Sequence, residues 1–250
     1  MLRYAAKTDV GLVRQNNEDS FYTGCPLGGL EDNLFIVADG MGGHKGGEYA
    51  SRFVVRKIPD NLKLTGRKNG VLNALREAVE NTNKALNQLS TDLDYLQGMG
   101  STVVMAYFNK TEWIVLNVGD SRAYLFENDE LRQITLDHSW VEEMVRQGVL
   151  ERDDPMYLAN RNKITRAMGA EPTVEEDVFL VPAASGQRLL LCSDGLHGML
   201  SDEEIAAVLR EEADVDRAVS RLLHLALEAG GQDNITILLA EYREETESEG

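Results

Sequence analysis

Four aspartates in this chain stand at the ends of apolar runs, each beside a glycine or an asparagine: Asp39-Gly40, Gly119-Asp120, Asp194-Gly195 and Asp233-Asn234. Each position alone reads most simply as a turn or capping residue. Four in the same context suggest acids delivered to one rim by packed strands. Carboxylates crowded together are unstable unless a cation or a proton neutralises them. Oxygen ligands without His or Cys favour Mg²⁺ or Mn²⁺, with Ca²⁺ also open. Two such ions bridged by one carboxylate would lower the pKa of a shared water and aim it at a phosphorus. Asp39 is the bridging candidate. The run Phe35-Ile36-Val37-Ala38 before it reads as a buried strand, so Asp39 is expected where the backbone leaves the sheet. The loop that follows is no nucleotide cradle, because Glu48 stands where a phosphate-binding loop needs Lys. There is no G-x-S-x-G elbow, and no Cys stands in a phosphate-binding loop. Arg14 carries a guanidinium that matches phosphate or carboxylate geometry, but its own stretch pairs it with Glu18 or Asp19.

The elements that must position these acids are short strands and amphipathic helices. Strands are expected at Tyr4 to Thr8, Ser20 to Thr23, Val103 to Phe108, Trp113 to Val118, Ala123 to Phe126, Leu131 to Ile134, Val178 to Val181, Arg188 to Ser193 and Ile235 to Tyr242. Asn109-Lys110-Thr111 suits a hairpin and Asn128-Asp129 a turn. Gly47 to Leu64 begins helically, with Pro59 expected to interrupt it. Val71 to Leu96 keeps a helical period through Leu72, Leu75, Val79 and Leu86. Ser139 to Gln147 reads as a short helix with a Ser139/Glu142 capping box, broken at Asp153-Asp154-Pro155. A second capping box, Ser201 with Glu204, opens a helix. Another helix runs from Val215 to Gly230-Gly231. His138 and His224 read as structural hydrogen-bonding and surface residues.

At 250 residues, 43% hydrophobic, the chain can bury a sizeable core as one large domain or two small ones. The net charge of −17 makes nucleic acid a poor partner. No apolar run is long enough to span a bilayer and no signal-peptide pattern opens the sequence, so the expected compartment is the cytosol. Cys25 and Cys192 make neither a disulfide framework nor a zinc site, and Cys192 reads as a packed core thiol. The acidic run from Arg243 to Gly250 reads as a solvated, disordered tail.

Six motifs in order carry a resemblance over nearly the whole chain. They are Thr8-Asp9-x-Gly11-x-x-Arg14-x-x-Asn17-Glu18-Asp19, Asp39-Gly40-Met41-Gly42-Gly43-His44, Gly98-Met99-Gly100-Ser101-Thr102, Val118-Gly119-Asp120-Ser121-Arg122, Ser193-Asp194-Gly195-Leu196 and Asp233-Asn234-Ile235-Thr236. Together they resemble the bacterial metal-dependent Ser/Thr phosphatases of the protein phosphatase 2C-like, or PPM, family. The resemblance implies an α+β fold, an α-β-β-α sandwich of two antiparallel sheets flanked by pairs of helices, with a small flap at about 139–164. It implies a single phosphatase domain over 1–242 and a pair of Mn²⁺ or Mg²⁺ ions. By motif position, Asp39 and the Gly40 carbonyl would bind metal, with Asp39 bridging, and Asp194 and Asp233 would bind the other ion. Asp120 with Asp194 would hold a third. Asp19 would act through metal-bound water, and Arg14 would hold the substrate phosphate. The implied partners are proteins phosphorylated on Ser or Thr and a cognate Ser/Thr kinase, acted on by a monomer.

The chain departs from the family pattern in three places. Met41 replaces the His proposed as general acid in animal members; His44, three residues on, is a candidate, with metal-bound water as the alternative proton donor. Ser101 replaces a more usual Thr. Pro155-Met156-Tyr157 lacks the His-Pro of many bacterial flaps. The competing readings are a catalytically silent metal-binding relative and a small-molecule phosphomonoesterase.

Overall fold

The computed structural model describes residues 1–27, 33–42, 46–66 and 70–244. His44 and the tail beyond Glu244 lie outside the described residues. Two antiparallel sheets stack face to face. One orders its strands β1 (Leu2–Asp9), β11 (Ile235–Tyr242), β10 (Arg188–Cys192), β7 (Arg122–Glu127) and β8 (Glu130–Gln133). The other orders β2 (Asp19–Gly24), β3 (Leu34–Met41), β5 (Val103–Phe108), β6 (Glu112–Val118) and β9 (Asp177–Pro182), with the two-residue β4 (Gly100–Ser101) also paired to β3. Helices α1 (Gly46–Thr65) and α2 (Val71–Asp92) cover the second sheet. Helices α6 (Asp202–Glu211) and α7 (Val215–Glu228), with the short α5 (Asp194–His197), cover the first.

The sandwich follows from alternation along strands that are apolar on both faces. On β3, Leu34, Ile36 and Ala38 face α1 and α2, whereas Phe35 and Val37 enter the layer between the sheets. On β10, Leu190 and Cys192 face α6 and α7, and Leu189 and Leu191 join Phe35 and Val37. Cys192 is fully buried, as its apolar setting predicts.

Two elements differ from expectation. Helix α1 runs through Pro59 without ending there. Ile58, Pro59 and Leu62 are buried, and Asn61 Nδ2 donates to Thr82 Oγ1 on α2 at 3.0 Å. Packing on both sides outweighs the local penalty of the missing amide. Between β8 and β9 lie two short helices, α3 (Trp140–Arg146) and α4 (Pro155–Asn160). Ser139 caps α3 by accepting from the Glu142 amide, but the box stays half made. The Glu142 carboxylate instead accepts from Arg152 at 2.9 Å and from the Tyr157 hydroxyl at 2.6 Å. Asp153-Asp154-Pro155 starts a helix, with Asp154 as cap and Pro155 in the first turn, where its absent N–H costs nothing.

At the far end of the sandwich, buried Arg188 donates to Glu241 and to the carbonyls of Leu209, Glu212 and Ala213 at the end of α6. Arg188→Met removes one partner of a buried ion pair and strands three carbonyls. It is expected to cost about 3 kcal/mol, read as a lower urea midpoint at unchanged slope.

Candidate metal centre

The strand ends meet at one edge of the sandwich. Asp39 sits opposite Asp19 in the β2–β3 register. It does not mark the end of β3, which continues to Met41; it marks the point where β3 changes partner. Pairing with β5 stops at Val37–Val104, and β4 takes over at Gly40–Ser101. The Gly98-to-Thr102 motif fills that gap. The Thr102 amide donates to the Asp39 carbonyl at 2.8 Å, the Asp39 amide donates to Thr102 Oγ1 at 2.9 Å, and Ser101 Oγ donates to the same carbonyl at 3.0 Å. Thr102 Oγ1 also lies 2.7 Å from Ser121 Oγ, which ties the Asp39 strand to the Asp120 loop.

The other acids are held as firmly. Asp194 opens α5 directly after β10. Ser193, the residue before it, accepts from the Thr236 amide at 2.9 Å and donates to Asp19 Oδ2 at 2.6 Å. Asp233 precedes β11, and its neighbour Asn234 clamps the N-terminal motif. Asn234 Nδ2 donates to the carbonyls of Val10 and Asn16, and its Oδ1 accepts from the Glu18 amide at 2.8 Å. Asp120 lies between β6 and β7. The Gly119 amide donates to His138 Nδ1 at 3.1 Å, and His197 Nε2 donates to the Asp120 carbonyl at 3.1 Å. His138, buried and also bonded to Asp177, is the structural hydrogen-bonding residue expected of it. Two glycines prove necessary for close backbone approach. A Cβ at Gly40 would lie 2.0 Å from the Gly47 carbonyl oxygen, and one at Gly195 would lie 2.0 Å from that of Asn234.

Electrostatics shows how near these acids are. Burial, then the charges of Asp194 and Asp233, push the Asp19 carboxyl up to about 8 against its hydrogen bonds from Ser193 and Thr236. Burial, then Asp194 and Asp137, push Asp120 up to about 8. Asp194 rises to about 6 through burial and Asp233, and lies within reach of sharing a proton with Asp39. Asp39 is raised well above the usual range by lost hydration and by the charges of Asp19, Asp194, Asp120 and Asp233. The same four neighbours surround one group, so all five acids share one site.

Arg14 departs from its local expectation. It pairs with neither Glu18 nor Asp19; its guanidinium donates to Asp233 Oδ2 at 2.7 Å and stays half exposed. A cleft of about 200 Å³ beside the acids is lined by Asp120, Arg122, Tyr157, Arg161, Asp194 and Asp233.

The donor set fits hard divalent cations. Asp19 Oδ1 and Asp194 Oδ1 are buried without a hydrogen-bond partner, a costly state for a carboxylate oxygen. The five acids offer only carboxylate oxygens, the ligand type of hard cations; His197 also lines the cleft, with its Nε2 engaged by the Asp120 carbonyl. Among the described residues, no three or more His, Cys, Asp or Glu side chains are grouped so as to hold a metal ion by themselves. Ions that keep several waters and take one or two carboxylates each suit such an open set.

Comparison with known proteins agrees with this geometry. The family model for protein phosphatase 2C matches residues 13–239. The chain belongs to the protein phosphatase 2C family. The match takes in five of the six motifs whole, together with Arg14 to Asp19 of the first. A serine/threonine phosphatase, stp, of Listeria welshimeri is 39% identical over 94% of each chain. The crystal structure of the Mycobacterium tuberculosis serine/threonine phosphatase PstP/Ppp superposes with a TM-score of 0.86 at 38% identity, covering 97% of this chain and 99% of that one. A structure of the PstP catalytic domain in complex with two manganese ions gives 0.83 at 37% identity, with the same coverage. The α-β-β-α sandwich is therefore the family architecture, as the motifs imply.

Ser101, Thr102, Ser121, Ser193 and Asn234 stand inside the motifs, but local spacing gives them no role. Their roles lie in hydrogen bonds across 19 to 224 residues of chain, which no local pattern displays.

Proposed function

We propose that this chain is a metal-dependent phosphatase of phosphoserine and phosphothreonine proteins, folded as one phosphatase domain over residues 1–242. The observation that carries the reading is the convergence of Asp39, within β3, with four acids at the ends of other strands, two of whose buried carboxylate oxygens are left unpaired. Asp39 and the Gly40 carbonyl would hold one Mn²⁺ or Mg²⁺ ion, Asp39 would reach the second, and Asp194 and Asp233 would complete it. Asp120 with Asp194 would hold a third. Such ions supply charge neutralisation at a phosphoryl group and a nucleophilic water at neutral pH.

The chain's own groups do the rest. Asp39 is fixed through its backbone by Ser101 and Thr102, so its carboxylate needs no reorganisation when charge develops nearby. Asp19 would act through metal-bound water, since Ser193 occupies its Oδ2 and its Oδ1 has no hydrogen-bond partner. Arg14 holds Asp233 in the structure, and its exposed fork is placed to take phosphate oxygens instead. His44, the candidate donor to the leaving group, lies outside the described residues. Residues 139–164, carrying α3 and α4, form the flap beside the cleft, and Tyr157 and Arg161 reach its wall. No described helix is long and apolar enough to cross a membrane. The reading places the chain in the cytosol as a monomer, with phosphoproteins and a cognate kinase as partners, and the net charge of −17 argues against nucleic acid.

The test is hydrolysis of a phosphothreonine peptide and of p-nitrophenyl phosphate with Mn²⁺ and with chelator. Turnover of both only with metal supports the reading. Tight Mn²⁺ binding without turnover would assign a silent relative, and turnover confined to small phosphates would assign a phosphomonoesterase. Arg14→Ala is expected to raise KM for the peptide about tenfold or more with a smaller fall in kcat, because a charge-assisted fork to substrate is lost. An unchanged KM would remove Arg14 from phosphate binding.

A further inference from the structure

A groove outside the metal centre has the composition of a docking site. It runs along the outer face of α1 and holds about 660 Å³ between that helix and the segment at Tyr95 and Leu96. Glu48, Tyr49, Arg52, Phe53, Arg56 and Lys57 line it at helical spacing, while Ala50, Val54 and Ile58 face the core. Tyr49 and Phe53 stack with ring centroids 6.1 Å apart. Tyr49 is 41% exposed and Tyr95 is 74% exposed, large for aromatic rings that no fold requirement places there. Exposed tyrosines beside arginines are the residue types that dominate protein recognition sites.

The charge of the groove runs against that of the chain. The molecule carries −17, yet this face gathers Arg52, Arg56 and Lys57. Arg52 is paired with Glu48 at 2.7 Å, and Asp60 at the far end is paired with Lys63 at 3.5 Å. Arg56 and Lys57 enter no ion pair among the described residues. The cations left over stand midway along the groove.

The near end of the groove, at Glu48, adjoins a backbone contact with the strand that carries Asp39 and Gly40. Glu48 follows Gly47, and a Cβ at Gly47 would lie 2.7 Å from the Gly40 carbonyl oxygen and 2.7 Å from the Glu18 carboxyl carbon. From Glu48 to Asp60 the helix rises about 18 Å, the span of about five or six extended residues.

We propose that this groove binds the acidic, apolar-bearing segment that flanks the phosphorylated residue of a protein substrate. The inference rests on the phosphatase reading and names the substrate class that the groove selects. Carboxylates of the segment meet Arg56 and Lys57, and an apolar side chain lies against Tyr49, Phe53 and Tyr95. The phosphorylated residue then lies over the acids at the near end. The charge complementarity identifies the occupant: a second copy of this chain, at −17, is repelled overall even where its acids match the groove.

Two measurements on the full chain test this. The first compares phosphothreonine peptides whose flanks carry either three Glu and one Leu or only Ser and Asn, placed on either side, with Mn²⁺ present. The acidic, apolar flank is expected to raise kcat/KM about tenfold, mainly through KM, and R56E/K57E to abolish that gain, as two exposed ion pairs and their reversal allow. Turnover of p-nitrophenyl phosphate, too small to reach the groove, stays at the wild-type rate. The second measures fluorescence anisotropy of the same Glu/Leu segment without its phosphate, in chelator. Binding lost in R56E/K57E and weakened in Tyr95→Ala supports the groove even if the chain hydrolyses nothing. Absence of p-nitrophenyl phosphate turnover in wild type would instead defeat the phosphatase reading. Equal kcat/KM for both flanks with no segment binding overturns the groove. A concentration-dependent dimer that R56E/K57E disperses would reassign the face to self-association and overturn it equally.

Discussion

Asp39→Asn is expected to lower kcat toward p-nitrophenyl phosphate by about 10³-fold or more, the scale seen when a positioned electrostatic group is removed from a reacting centre. Asp39 is the acid that feels all four others. It is also the acid whose backbone is held at three points, by the Thr102 amide and the Thr102 and Ser101 hydroxyls. Asn keeps the shape and loses the charge, so the fold survives and the ligand does not. A second readout separates chemistry from collapse. In chelator the variant is expected to melt above wild type at pH 8, because a carboxyl whose ionisation is opposed by burial and by four neighbouring acids becomes a neutral amide. Adding Mn²⁺ is expected to raise the wild-type Tm and leave the variant nearly unmoved. Near-wild-type turnover, or a full Mn²⁺ shift in the variant, would remove Asp39 from the metal centre.

The metal-free protein is expected to lose stability as pH rises, and metal to restore it. The folded chain holds Asp194 near 6 and Asp19 and Asp120 near 8, against an unfolded value of 3.8. Between those limits the folded state binds more protons than the unfolded one, so stability falls with rising pH. The contribution is fully present below about 4 and lost as pH passes about 8. Divalent cations take the place of the protons and so compete with them. At about a hundred times its dissociation constant, an ion bound only to the folded state adds about 2.7 kcal/mol, or roughly 5–10 °C in a chain of this size. The Tm gain on adding Mn²⁺ should therefore be large at pH 8 and small at pH 5.5. Scanning calorimetry in chelator and in Mn²⁺ at both values checks this. A gain independent of pH would mean the acids are already neutralised by something other than protons or metal.

Much of the site is legible in the sequence. The strands around Asp39, Asp120, Asp194 and Asp233 declare themselves because apolar, β-branched runs end abruptly in acid and glycine. Ile235–Tyr242 lies where the pattern places it. The Ser201 capping box forms with both bonds in place, since all its partners lie within one turn. Where a local signal competed with packing, packing won. Pro59 sits inside α1 because Ile58 and Leu62 are buried on either side of it. Glu142 leaves the capping box because Arg152 and Tyr157 offer its carboxylate stronger partners.

The sequence by itself determined the residue types: hard oxygen ligands, a net charge of −17, and a serial set of motifs that fixes the family. Tertiary structure alone decided that Arg14 reaches across to Asp233, that Ser193 bridges Asp19 to β11, and that Asn234 clamps the N-terminal loop. It also set Arg56 and Lys57 of α1, which enter no ion pair among the described residues, beside exposed tyrosines. The reason is physical: periodicity and propensity act over a few residues, whereas a shared charge field depends on distances that only the closed sandwich sets.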